Sequence, residues 1–142
     1  MDERLGSVAT PIPCDPRLSG LAGVIRDYRD LRVWVAAMDL AQAVYVTTAG
    51  FPRGERFGLT AQVRRAAVSV ASNIAEGQAR DSSPDFLRFL AIAAGSLAEV
   101  RTQLLLAARL QYTSEIHEPQ IDELARQLSA LRAAIKRKEV DR

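Results

Sequence analysis

Four arginines, Arg53, Arg56, Arg64 and Arg65, fall within thirteen residues, with Glu55 as the acid among them. Guanidinium groups stay charged and make planar, multidentate contacts with phosphate or carboxylate. These four fall at the expected start of a helix, where the dipole disfavours cations and a bound anion would relieve the cost. A second basic group, Arg132, Lys136, Arg137 and Lys138, lies near the C-terminus. Cations are favoured at a helix C-terminus, so two readings of this group stand: a phosphate patch, or helix capping with a gain in solubility. The eight residues together are the candidate nucleic-acid-binding set. With base-stacking aromatics absent from this reading of both groups, binding is expected to rest on phosphates and to ignore sequence.

Catalytic chemistry finds little footing. The chain has one His and one Cys, His117 and Cys14, which excludes an internal disulfide and any two-histidine mechanism. A ferritin-like di-iron bundle wants Glu-x-x-His on two helices, but Ser114 stands three residues before the sole histidine. Glu76 and Glu99 invite a two-carboxylate mechanism. On an antiparallel hairpin centred near residue 80, however, about fourteen helical residues separate their levels, roughly 20 Å. The segment Gly50-Phe51-Pro52-Arg53-Gly54 lacks the Gly-Lys-Ser/Thr ending of a phosphate loop. The expectation is no enzyme, no metal and no cofactor.

A polar stripe points instead to packing. Gln62, Arg65, Ser69, Asn73 and Glu76 recur at three- and four-residue steps, and Arg88, Ser96, Glu99 and Gln103 follow on the next segment. Short Ser and Asn are poor choices for a solvated helix face. Gln62, Ser69, Asn73, Glu76, Ser96 and Glu99 are therefore expected to form a structural polar network, with Arg65 or Gln62 pairing Glu99 and Arg88 near Glu76. Gly95, costly inside a helix, is expected to lie against Ala66, so that two small residues let the helices approach.

These residues need helices to carry them. The 142 residues are 48% hydrophobic, with 23 Ala and 16 Leu against eight aromatics, a composition that favours helix over sheet. Residues 1–27 mix Gly, Pro and Ser without a period and read as a flexible leader; 28–138 read as one bundle and 139–142 as a tail. Leu31, Trp34, Met38, Ala41, Tyr45 and Thr48 mark the seam of a first helix behind an Asp30 cap. That leaves Val33, Ala37, Leu40 and Val44 as a second apolar face. Leu59, Val63, Ala66, Val70 and Ile74 mark a second helix from about Glu55, ended by Gly77. Phe86, Leu90, Ala93, Leu97, Val100, Leu104 and Ala107 mark a third, capped by Ser82-Ser83-Pro84-Asp85, with Leu87, Leu105 and Leu106 outside the stripe. Ile121, Leu124, Leu128, Leu131 and Ile135 mark a fourth, capped by Ser114 and with His117 on its first-turn surface. The expected fold is an all-α, antiparallel up-down four-helix bundle.

Net charge is +2 over 19 basic and 17 acidic residues, and the pI is near 9.0. The surplus sits beyond residue 131, and residues 29–131 balance eleven Arg against eleven acids. Arginine outnumbers lysine 17 to 2. No apolar run reaches the ~18–20 residues of a membrane span, and the N-terminus lacks the apolar core of a signal peptide. A cytoplasmic protein without a membrane partner is expected.

Phe51-Pro52, Glu55, Gly58-Leu59-Thr60, Gln62, Arg64-Arg65-Ala66, Ser69 and Asn73-Ile74-Ala75-Glu76-Gly77 resemble the signature of a bacterial family. It is the four-helix-bundle family named for proteins encoded in 23S rRNA intervening sequences. Asp30-Leu31, Trp34, Phe86, Phe89-Leu90, Ala93 and Gly95-Ser96-Leu97 extend the resemblance over roughly residues 28–136. It implies homopentameric rings. The accessory variability proteins of diversity-generating retroelements are similar in fold and bind a reverse transcriptase and nucleic acid, but they are notably basic, unlike this neutral bundle body. The functional expectation is a non-catalytic, oligomeric binding module for RNA, DNA or a ribonucleoprotein partner such as a reverse transcriptase. The alternative is a protein-binding scaffold with no nucleic-acid role.

Overall fold

The computed structural model describes residues 28–141; the leader 1–27, Cys14 included, lies outside the described residues. Four helices follow a short 3-10 turn: α1 (Arg32–Thr48), α2 (Leu59–Gln78), α3 (Ser83–Arg109) and α4 (Glu118–Val140). Each packs against its neighbours in sequence, and α4 closes back onto α1. No strand occurs among the described residues. The up-down four-helix bundle follows, and α4 runs through residues 139 and 140, which the sequence pattern places in a tail.

The apolar stripes of α2, α3 and α4 are the core. Val63, Val70, Ile74, Leu90, Val100, Leu104, Leu124 and Leu128 are fully buried. At about 25 cal/mol per Å² of apolar surface, this interdigitated set is the main source of stability. At the two ends of the expected α1 seam Leu31 and Thr48 are buried, but between them the inward face is rotated. Val33, Ala37, Leu40 and Val44 are buried, whereas Met38 and Tyr45 are exposed and Trp34 and Ala41 half-buried. Both sets recur every three to four residues, about one residue or 100° apart, so period alone does not choose between them. The aliphatic set takes the core. Trp34 sits at the rim, edge-on to Tyr28 at 5.3 Å.

Helix ends follow local chemistry. The Ser82 hydroxyl accepts from the Asp85 amide at 3.3 Å and Pro84 occupies the first turn of α3, as expected. α2 begins later than Glu55, because residues 53–55 form a 3-10 turn and Gly58 takes the cap position. Leu31 holds the cap position of α1. Ser114 does not cap α4: His117 does, in the left-handed conformation at φ 54°. That backbone turns the imidazole onto α1, where Nε2 lies 2.7 Å from the Thr47 hydroxyl. His117 is thus a half-buried tie between two helices, not a surface residue. A second tie is Arg101 of α3, whose guanidinium donates to Asp122 and, at 2.8 Å, to Glu118 of α4. The Asp122 bond, outweighing desolvation, pushes Arg101 above its ordinary pKa.

Gly77, in the last turn of α2 as expected, also takes the close-approach role expected of Gly95. Gly77 lies inside α2, buried, and a β-carbon there would sit 2.7 Å from Phe89 Cβ. Gly95 is exposed, and a β-carbon there would meet nothing within 4 Å, so it does not pack on Ala66. α3 is long and apolar enough by length and composition to cross a membrane, because its leucines with Phe89, Ile92 and Val100 raise the mean hydropathy although polar residues interrupt every apolar run. One face of α3 is the bundle core.

Candidate nucleic-acid interface

The C-terminal turn of α1, the 51–58 connection and the first turns of α2 form one end of the bundle. Phe51 is buried and meets Tyr112 at 5.7 Å, which anchors the connection. Thr48 is buried, and its hydroxyl donates back to the Val44 carbonyl at 2.7 Å. Its oxygen also accepts from Arg64 Nε at 2.7 Å. A second Arg64 nitrogen donates to the Tyr45 carbonyl at 3.3 Å, and the guanidinium stacks 4.4 Å from the Tyr45 ring centroid. Arg64 is therefore a built-in strut between α1 and α2, not a free surface cation.

Arg56 and Arg65, by contrast, are both exposed at the surface. With Tyr45, Phe57, Thr60, Ala61, Arg64 and Val68 they line an open groove of about 470 Å³. Arg53 is exposed nearby but does not line it. The expectation that this cluster lacks aromatics is wrong. Phe57 is 87% exposed, 5.2 Å from the Arg56 guanidinium, and Tyr45 arrives from α1. Phe57 is visible beside Arg56 in the sequence; Tyr45, eleven residues earlier, needs the helix pairing.

The second basic group is not part of this site. Lys136, Arg137 and Lys138 are exposed at the far end of α4, whose start lies by Thr47. At ~1.5 Å per residue, about 30 Å of helix separates the two groups. Arg132 is half-buried, with Nε lacking an acceptor among the described residues.

The polar stripe divides. Ser69, Ser96 and Asn73 do form a network: the two hydroxyls are 2.9 Å apart, and the Asn73 amide donates to the Ser69 hydroxyl and carbonyl at 2.9 and 2.8 Å. Gln62 accepts from Gln103 at 3.4 Å and makes no bond with Glu99. Glu76 pairs with Arg80 at 3.2 Å and Arg88 with Asp85 at 3.8 Å. The expected pairs of Glu99 with Arg65 or Gln62, and of Arg88 with Glu76, do not form. Ser69 opposite Ser96 and Gln62 opposite Gln103 centre the hairpin between residues 82 and 83, about one turn from the expected register on α3. Glu76 then lies level with Phe89 and still ~15 Å along the helix from Glu99.

Among the described residues no three His, Cys, Asp or Glu gather as a metal-binding group. No curated protein matches the chain. A family model described as 23S rRNA-intervening sequence protein matches residues 29–136, which spans all four helices but the last turn of α4. The chain belongs to the 23S rRNA-intervening sequence protein family.

Proposed function

We propose that the protein is a non-catalytic binding module whose α1–α2 end contacts the phosphates of RNA or DNA, and that it works as a homo-oligomer. The observation that carries this is how the arginines are neutralised. Arg80, Arg88, Arg101 and Arg126 each have a carboxylate within 4.0 Å. Arg32, Arg53, Arg56, Arg64, Arg65, Arg109, Arg132 and Arg137 have none among the described residues; of these, Arg53, Arg56, Arg64 and Arg65 cluster at the α1–α2 end, where Glu55 lies against Gly58. Four uncompensated cations beside a helix N-terminus favour an anion there. Lys136, Arg137 and Lys138 form a weaker, separate patch.

Self-association is supported by Val35, Met38, Ile92, Leu105 and Leu106, all exposed apolar side chains. Gly95 lies one turn from Ile92 and has no packing reason within its own chain. Apolar surface of this kind commonly marks an interface, and the family resemblance suggests a ring of five. Repetition of one weak phosphate patch around a ring raises affinity through added counterion release. The same exposed side chains support the rival reading, a protein-binding scaffold.

Titrating salt against binding to a generic oligonucleotide tests the proposal. Affinity should fall steeply and linearly on logarithmic axes. Absence of binding at low salt overturns the nucleic-acid reading and leaves the scaffold.

A further inference from the structure

We infer that the groove between α1 and α2 is a single-stranded nucleic-acid subsite, in which Phe57 stacks a base and Arg56 and Arg65 hold the flanking phosphates. This rests on the phosphate-binding reading above and names the form of nucleic acid that the site takes. Phe57 is 87% exposed, the most exposed large apolar side chain among the described residues. Its position follows from the chain: Phe51 anchors the connection in the core, and Gly58, the next residue after Phe57, caps α2. A ring placed this way buries almost nothing in its own chain, so a folding role does not account for it. Arg56 lies 5.2 Å from the ring centroid, and a base on the ring would bring its phosphate within reach of that guanidinium.

Tyr45 supplies a second, half-exposed ring in the same groove. Arg64 lies over it at 4.4 Å while bonded to Thr48. The groove of about 470 Å³ is open and of a size for a nucleotide. Arg56 and Arg65 bring positive charge to its walls, and no acid lines it. Duplex bases are paired and stacked on each other, so an exposed ring flanked by cations fits unpaired bases.

The test compares a fluorescent oligouridylate with an abasic oligomer of the same length and charge, at one fixed salt concentration. The full chain should bind the oligouridylate more tightly by roughly 5- to 150-fold per stacked base. Phe57→Leu should bring the two affinities together while the salt slope is kept, and Phe57→Tyr should restore the difference. Equal affinity of the unmodified protein for both oligomers, with salt-dependent binding retained, overturns the stacking site and leaves the phosphate reading intact. No binding to either oligomer overturns both. A fall in particle mass for Phe57→Leu also overturns the inference, because it assigns the ring to a contact between copies.

Discussion

Ser69 and Ser96 meet hydroxyl to hydroxyl at 2.9 Å across the α2–α3 seam, and Ser96 is 8% exposed. With Asn73 donating to Ser69, this contact holds the register of the most extensive helix pair in the bundle. Ser96→Ala should cost about 1 kcal/mol, an ordinary hydrogen-bond loss in a partly buried site. The double variant Ser69→Ala with Ser96→Ala should cost less than the two singles added, because the partners share one bond. Urea denaturation of the four proteins measures this; strict additivity would deny the coupling.

Gly77 is where α2 and α3 come closest. Gly77→Ala places a methyl 2.7 Å from Phe89 Cβ and 3.0 Å from the Phe86 ring. Overpacking of this kind costs about 1–3 kcal/mol, more than the ~1 kcal/mol that alanine gains over glycine in a helix. A lowered thermal midpoint is expected. A stabilised protein would mean the hairpin opens there at little cost.

Arg64 and Arg65 are neighbours with different duties. Arg64→Ala removes the bond to Thr48 and the stack on Tyr45 and should lower stability by about 1–2 kcal/mol. Arg65→Ala should leave stability within about 0.5 kcal/mol and reduce the salt slope of oligonucleotide binding by about one. Equal effects of the two substitutions on stability would contradict the geometry.

The apolar residues proposed for self-association are those the bundle leaves outside. Ile92→Arg should lower the mass measured by light scattering while helicity by circular dichroism is kept. Leu40→Arg should instead unfold the chain, because Leu40 is fully buried and an unpaired charge there is strongly unfavourable. An unmodified protein of 15.5 kDa at micromolar concentration would overturn the oligomer.

Composition and period were enough to show that four helices form and which faces of α2, α3 and α4 turn inward, since each carries one dominant apolar stripe, even though α3 also bears Ile92, Leu105 and Leu106 outside it. They left α1 ambiguous, because Trp34, Met38 and Tyr45 repeat with the same period as Val33, Leu40 and Val44. Burial against the neighbouring helices is what separates the aliphatic face from the amphipathic one. The uncompensated arginines were legible as a cluster. The role of Arg64 as a fixed strut within it was not, because Thr48 and Tyr45 reach that side chain from another helix. Tertiary contacts, the Ser69–Ser96 bond among them, set the hairpin register, since a shift of one turn along α3 preserves every helical period while it changes each partner. That shift moved the close approach from Gly95 to Gly77 and left Glu99 outside the polar network.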